Sequence, residues 1–307
     1  MLPRPLEPLG AYARMACLWE VTARKPGNVH RFADFDDVGY LDFAASAMMV
    51  GHVFDIIETE GAYRSGQGST GALIHLAVAD TKRVTRTNTN LGTILLLVPL
   101  AQARKELTLR HGVVEVLERL TVQDASDAYQ AIREARPGGL GRVADQDVSE
   151  PPTQTLRQVM ALAADRDLIA QQYVNGFREV FEEGVPALAD GLKQIGTLEE
   201  AIIACHLQLL VRHPDSLIAR KCGKELAVEA SQRAAAVLAA GWPHSGAGRR
   251  AIADFDAWLR GDGHRRNPGT TADLVAACLF VALREGIITL PPQIPWSLPG
   301  ERADGAQ

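Results

Sequence analysis

The chain has 307 residues, with 32 Lys and Arg against 37 Asp and Glu, so its formal net charge is −5. A hydrophobic fraction of 47% and a charged fraction of 22% exclude a wholly disordered or fibrous protein. The acidic balance, without a dense Lys/Arg block, gives no reason to expect a nucleic-acid partner, although a local anion site stays open.

The cysteines and the apolar runs indicate the compartment. The four cysteines are widely spaced and form no CxxC pair, which favours neither a zinc site nor a disulfide framework. Pro3, Pro5 and Glu7 interrupt the N-terminus where a signal peptide needs an unbroken apolar region. The longest apolar run, 94–101, is far shorter than the ~20 residues of a membrane span. We therefore predict a cytoplasmic protein with no membrane partner.

Helical periodicity dominates the chain. Apolar residues recur at steps of three and four, as at Leu198, Ile202, Cys205 and Leu209, and strand-like alternation is scarce. The sequence therefore predicts an all-α fold with an interhelical ligand pocket. The predicted helices cover 6–23, 40–60, 70–84, 91–107, 113–120, 124–135, 153–164, 166–183, 185–195, 198–212, 223–240, 248–260 and 271–285.

One long excursion separates the two halves of the helical pattern. The segment 136–152, RPGGLGRVADQDVSEPP, fits either a domain linker or a lid or binding loop within one domain. Because the helical pattern is alike on both sides, we expect one all-helical domain over 1–290. An extended tail, 291–307, follows it.

Two short motifs each leave a structural and a functional interpretation open. The segment 66–71 matches GxGxxG, but a helical, acidic segment precedes it where a dinucleotide site would need a strand. It fits an interhelical loop or a loop that touches a substrate. Asp34, Asp36 and Asp37 could bind Mg²⁺ through carboxylate oxygens, or form a solvated loop with an Asp helix cap.

The first block with chemical potential lies near the N-terminus, where a helix carrying Glu20 runs into the break Lys25-Pro26-Gly27-Asn28. A helix C-terminus explains the turn itself. A polar Glu on an apolar helix beside a cationic, glycine-containing turn is also how a carboxylate and an ammonium reach a polar pocket. We therefore take Glu20 as a candidate catalytic residue and Lys25, Gly27 and Asn28 as candidate substrate-binding residues.

The second block, Asn88-Thr89-Asn90-Leu91-Gly92, leads into ILLLVPLA, the most hydrophobic predicted helix. One of the three polar side chains caps this helix, and only one cap is needed. Because a helix N-terminus already favours an anion, Asn88, Thr89, Asn90 and Gly92 are candidates for a phosphate or ribose site.

A similar polar junction precedes LIARKCGKE. Here Asp215 and Ser216 begin a short helical stretch in which Arg220 adds positive charge. Asp215 is a second candidate catalytic carboxylate, with Ser216 and Arg220 as candidate phosphate ligands.

The third junction opens the apolar helix LVAACLFVAL. Gly269, Thr271 and Asp273 are its candidate binding residues, although Thr270 with Asp273 also resembles a capping box that needs no ligand. Three polar junctions opening apolar helices suggest convergence on one pocket between helices. A nucleotide-like or CoA-like polyanion is the expected small-molecule partner.

In this order the blocks resemble the triphosphoribosyl-dephospho-CoA synthase family, all-α proteins that make the prosthetic-group precursor of citrate lyase and malonate decarboxylase. The resemblance covers about 20–285. Its carriers are Glu20-Val21 with Lys25-Pro26-Gly27, Asn88-Thr89 with Gly92, Asp215-Ser216 with Arg220 and Gly223, and Pro268-Gly269 with Ala272-Asp273-Leu274.

The resemblance implies an ATP-dependent transferase that joins a triphosphoribosyl group to 3′-dephospho-CoA and releases adenine. It implies that Glu20 or Asp215 accepts the proton of the acceptor 2′-hydroxyl. Mg²⁺, Lys25 and Arg220 would neutralise the triphosphate. The helix N-termini at 88–92 and 269–273 would bind its oxygens.

The chain also departs from the family pattern. Where the better-known members have Asn-Thr-His-Lys-Gly, this sequence has Asn90 and Leu91 in place of His and Lys. The spacing from Glu20 to Lys25 is one residue shorter. The variant resembles a separate branch, associated with organisms that use methanopterin-type one-carbon cofactors. Two alternatives stay open: another enzyme of cofactor biosynthesis acting on a phosphorylated substrate, and a non-catalytic helical nucleotide-binding protein.

Overall fold

The computed structural model describes residues 8–59, 69–104, 108–138 and 146–297. Its helices, in chain order, are α1 Leu9–Thr22, α2 Tyr40–Thr59, α3 Thr70–Lys82, α4 Leu91–Gln102, α5 Leu109–Glu118, α6 Val122–Ala135, α7 Leu156–Ala161, α8 Leu168–Asn175, α9 Val185–Gln194, α10 Leu198–Arg212, α11 Ser216–Cys222, α12 Lys224–Ala239, α13 Gly246–Arg260 and α14 Gly269–Arg284. A π-helical turn, Val180–Gly184, precedes α9, and a four-residue strand, Gly261–His264, follows α13. The predicted all-α class is confirmed.

Two differences from the predicted helices have identifiable reasons. The predicted helix over 166–183 is interrupted, because α8 ends just before Gly176, which adopts a left-handed conformation with φ of 70°. That conformation stops a helix and suits glycine. The short helix α11 is a separate element because Asp215 caps its start and Gly223, with φ of 97°, ends it.

The helices α4 and α14 form the centre of the fold and pack against each other. In α4, 11 of 12 residues are buried, and in α14, 13 of 16. A helix that is apolar all round must be enclosed by other helices. The main hydrophobic core includes residues from both sides of 136–152. A second cluster lies among α10, α12 and α13.

Two peripheral segments also pack on this core. Helix α2 has the length and mean hydropathy of a membrane-crossing helix, but seven of its residues are buried against the rest of the fold, as in a core helix. In the described part of the predicted tail, the carbonyls of Pro295 and Trp296 accept hydrogen bonds from the N–H groups of Leu198 (2.9 Å) and Glu199 (3.0 Å). The start of the tail is thus attached to the N-terminus of α10.

Candidate active site

A cavity of about 1220 Å³ lies where the N-termini of α4, α11 and α14 meet. All three polar junctions identified in the sequence contribute to its wall. Ten of the candidate residues line it: Glu20, Asn28, Asn88, Thr89, Asn90, Gly92, Ser216, Arg220, Gly269 and Asp273. The other four, Lys25, Gly27, Asp215 and Thr271, do not.

Glu20 lies near the C-terminus of α1 and forms an ion pair with Lys25, whose Nζ is 2.8 Å from Glu20 Oε1. Burial raises the pKa of Glu20, and the Lys25 charge opposes that rise. The Lys25 side chain is fully buried, and its ammonium also donates to the backbone carbonyl of Glu20. This ammonium caps the end of α1 from behind the cavity wall, so Lys25 does not line the cavity, and its contact with a triphosphate stays a prediction.

Gly27 is structural. Its φ of 75° suits glycine, its N–H donates to Asp256 Oδ1 (2.7 Å), and a Cβ would lie 2.6 Å from Leu259 Cδ1. The residue packs against α13 and does not line the cavity, and its contact with a substrate stays a prediction.

Asn28 has one side-chain atom that forms no hydrogen bond with the described residues. The residue is 5% exposed, and its Nδ2 donates to Asn267 Oδ1 (2.6 Å) on the cavity wall. Its Oδ1 is buried and has no hydrogen-bond partner. A buried acceptor without a donor is costly, so a ligand with an N–H or O–H group would satisfy it.

Asp215 joins two helices. Its Oδ1 accepts from the N–H groups of Leu217 (2.9 Å) and Ile218 (3.0 Å), and its Oδ2 accepts from the N–H and the hydroxyl of Thr271 (both 2.8 Å). Burial raises its pKa, and these hydrogen bonds oppose the rise. Asp215 and Thr271 do not line the cavity, and the carboxylate forms a double helix cap; their catalytic and binding roles stay predictions.

Three polar residues lie at the N-terminus of α4: one caps the helix, and two bind the neighbouring helix α2. Asn88 Oδ1 accepts from Leu91 N (3.1 Å) and supplies the side-chain cap. Thr89 and Asn90 both donate to Ser46 Oγ at 2.7 Å. These two side chains hold α4 to α2 and still contribute to the cavity wall.

Asp273 contacts α4 rather than its own helix. Its Oδ1 accepts from the Thr93 hydroxyl (2.7 Å), and Thr270 instead accepts from Ser216 Oγ (2.9 Å). The predicted capping box is therefore wrong, because both side chains bond across helices. Burial raises the pKa of Asp273 to about 8, opposed by the Thr93 hydrogen bond and reinforced by the charges of Glu20 and Asp215.

The cavity wall also carries cations besides the candidate residues. Arg220 pairs with Asp167 Oδ2 at 3.3 Å. Four more cationic residues on the wall have no acidic partner in the described part of the chain: Arg86, Arg136, Lys221 and Lys224. Burial, followed by the neighbouring Arg220 charge, lowers the pKa of Lys221. These cations, which form no ion pair among the described residues, suit a polyphosphate.

The two loop motifs whose interpretation stayed open form structural contacts in the described residues. No group of three or more His, Cys, Asp or Glu side chains there could hold a metal ion. Asp34 Oδ1 accepts from Tyr40 N (2.6 Å), and Asp37 pairs with His264 (2.9 Å). Within the GxGxxG segment, 66–68 lie outside the described residues, and Ser69 caps α3 by accepting from Ala72 N (3.2 Å).

Comparisons with known proteins match these features. The family model for ATP:dephospho-CoA triphosphoribosyl transferase matches residues 6–289. Two relatives, from Pseudomonas syringae pv. syringae and Pseudomonas savastanoi pv. phaseolicola, are described as probable 2-(5″-triphosphoribosyl)-3′-dephosphocoenzyme-A synthases. They are 32% and 30% identical over 182 residues, which is 55% of this chain and 58% of each relative.

A solved structure from Archaeoglobus fulgidus, described as a triphosphoribosyl-dephospho-CoA synthase, has the same fold. It aligns with a TM-score of 0.59 over 79% of this chain and 98% of that chain. At 24% identity, this likeness shows the fold alone.

Proposed function

The chain belongs to the ATP:dephospho-CoA triphosphoribosyl transferase family, and we propose that it transfers the triphosphoribosyl group of ATP to 3′-dephospho-CoA and releases adenine. The observation that carries the proposal is one cavity that holds both an ion-paired carboxylate, Glu20, and four cations that form no ion pair with any described residue. A carboxylate suits proton transfer at the anomeric carbon, and the cations suit a triphosphate. The cavity volume exceeds that of a typical single-ligand pocket, as two large substrates require.

Glu20 is the proposed general base. Lys25, 2.8 Å away, favours the ionised form of Glu20, which can then accept the proton of the attacking 2′-hydroxyl. The negative charge also stabilises the oxocarbenium character of the transition state at the anomeric carbon. The buried Asn28 Oδ1 would accept a hydrogen bond from a substrate hydroxyl or amino group.

The triphosphate would lie against Arg136, Arg220, Lys221 and Lys224. Because the described residues supply no three-donor acidic or histidine group, Mg²⁺ enters the proposal as part of the substrate, MgATP. The phosphate oxygens would hold the ion, which prefers to keep several water ligands. Leu91, where better-known members have Lys, also lines the cavity, and Lys221 or Arg136 would supply the missing charge.

The experiment is chromatographic detection of adenine after purified protein is incubated with ATP, Mg²⁺ and 3′-dephospho-CoA. A parallel reaction without the acceptor is the control. We expect one molecule of adenine for each molecule of triphosphoribosyl-dephospho-CoA formed, and none when the acceptor is absent.

Absence of adenine with ATP binding retained would reject this reaction. It would then favour the alternative of a changed phosphorylated substrate in one-carbon cofactor synthesis, for which the Asn90-Leu91 pair is the motivating feature. ATP binding without turnover of any phosphorylated acceptor would favour a non-catalytic binding protein.

A further inference from the structure

Two carboxylates line the same cavity but have opposite electrostatic surroundings. Glu20 has an ammonium, Lys25 Nζ, at 2.8 Å. Asp273 has the Thr93 hydroxyl at 2.7 Å and no cationic partner within the described chain. Its other charged neighbours, Glu20 and Asp215, are both acidic.

These surroundings favour different protonation states. Burial raises the pKa of both carboxyl groups, but at Glu20 the Lys25 ammonium opposes the rise, whereas at Asp273 the charges of Glu20 and Asp215 reinforce it. The pKa of Asp273, raised to about 8 chiefly by burial, is consistent with a protonated side chain at neutral pH. Carboxyl groups whose environments separate their protonation states in this way commonly divide acid and base roles between them.

The contacts of Asp273 also indicate which oxygen carries the proton. The Thr93 hydroxyl donates to Oδ1, so the acidic proton belongs on Oδ2. A Cβ at residue 92 would lie 2.1 Å from Oδ2, and Gly92 removes that obstruction. Gly92 and Asp273 both line the cavity, and no side chain at residue 92 separates Oδ2 from it.

We propose that Asp273 is the general acid of the transfer and protonates the leaving adenine at N7, while Glu20 accepts the proton of the attacking hydroxyl. This inference rests on the proposed function and adds the second proton transfer to it. Departure of a nitrogen base from an anomeric carbon is easier when the base leaves neutral, and such assistance contributes about 10²–10⁴-fold.

The step balances within the cavity. The bond from the anomeric carbon to adenine N9 breaks, and its electron pair goes to the base, which receives the Asp273 proton. The acceptor oxygen forms the new bond to the anomeric carbon and loses its proton to Glu20. The turnover ends with Glu20 protonated and Asp273 ionised, and a proton passed from Glu20 to Asp273 restores the starting state.

The test compares wild type and Asp273→Asn, with ATP and with 7-deaza-ATP, which has no N7 to protonate. With ATP we expect kcat of the variant to fall at least 100-fold while KM for ATP stays within threefold. With 7-deaza-ATP the substitution causes no further loss. In wild type, kcat declines as the pH rises through about 8, and Asp273→Asn lacks this alkaline decline. The exposed Asp190→Asn on α9 is the matched control and retains it.

The outcomes separate this inference from the proposed function. No adenine release by wild type would reject the reaction itself. Active wild type with a flat kcat profile to pH 9.5, or equal use of ATP and 7-deaza-ATP, would overturn the role of Asp273 alone. These wild-type measurements stand even if Asp273→Asn does not fold.

Discussion

Asp215 Oδ2 accepts two hydrogen bonds of 2.8 Å from Thr271, one from its N–H and one from its hydroxyl, and so ties the start of α14 to the start of α11. The other oxygen of the same carboxylate caps α11. Asp215 thus accepts three backbone N–H groups and one hydroxyl, all from the starts of these two helices, and it does not line the cavity. This geometry gives Asp215 a role in stability.

We predict that Asp215→Asn lowers the free energy of unfolding by about 2–4 kcal/mol, because an amide cannot accept all four hydrogen bonds in a fully buried position. Chemical denaturation measures this change. The exposed Asp190→Asn should stay within about 0.5 kcal/mol of wild type. A variant that keeps wild-type stability but loses adenine release would restore Asp215 as the catalytic base.

The unpaired cations predict a charge-specific effect on substrate affinity. Lys221→Gln and Arg136→Gln should each raise KM for ATP about tenfold and leave kcat within twofold, since each removes one positive charge near the triphosphate. The effect should shrink in high salt, which screens partly exposed charges. Steady-state kinetics at two ionic strengths measures it, with the exposed Lys193→Gln as control. An unchanged KM in both variants would move the triphosphate away from this wall.

The architecture could be predicted from the sequence because helical periodicity and helix breaks are local signals. The burial of α4 followed from its continuous apolar run, and the three junctions were recognisable as polar residues preceding apolar helices. The break inside 166–183 was missed because Gly176 within a helical pattern does not reveal its left-handed conformation.

The roles of individual polar residues were harder to predict. An acid before a helix and a lysine after one occur both as helix caps and in active sites. The sequence alone therefore could not show that Asp215 and Lys25 are caps while Asp273 and Glu20 line the cavity; the burial of each side chain was needed. Arg136 was missed because it comes from a distant segment that shares no motif with the candidate residues. Tertiary packing alone brings Lys221 close to this segment: a Cβ added at Gly138, two residues after Arg136, would lie 3.5 Å from Lys221 Cε.

His206 on α10 predicts an acid-sensitive stability. It is fully buried, and neither ring nitrogen has a hydrogen-bond partner among the described residues. Burial, followed by the Lys25 charge, lowers its pKa well below 6.5. Below pH 6.5 the unfolded chain binds a proton at this residue and the folded protein does not, so wild type loses stability as the pH falls.

His206→Met should raise the free energy of unfolding by about 1 kcal/mol at pH 7, because it removes unsatisfied polar atoms at similar volume. The gain should increase at pH 5. Urea denaturation at both values measures it, with the exposed His244→Gln as a variant whose difference from wild type should not change with pH. A destabilised His206→Met would indicate that the imidazole has a partner in solution.

The raised pKa of Asp273 makes a prediction for stability that is independent of turnover. Between pH 3.8 and about 8 this residue is ionised in the unfolded chain but protonated in the folded protein, so its contribution to stability decreases as the pH rises. Asp273→Asn cannot ionise. Its free energy of unfolding relative to wild type should therefore increase with pH over this range and level off above about 8.

Denaturation curves at four or five pH values test the prediction, and Asp190→Asn should give a flat difference. The slope matters more than the intercept, because the lost contact with Thr93 shifts all values equally. A difference that does not depend on pH would mean that Asp273 ionises in the folded protein as it does in the unfolded chain. Asp273 would then hold no proton to donate near neutral pH, and the division of roles between Glu20 and Asp273 would lose its physical basis.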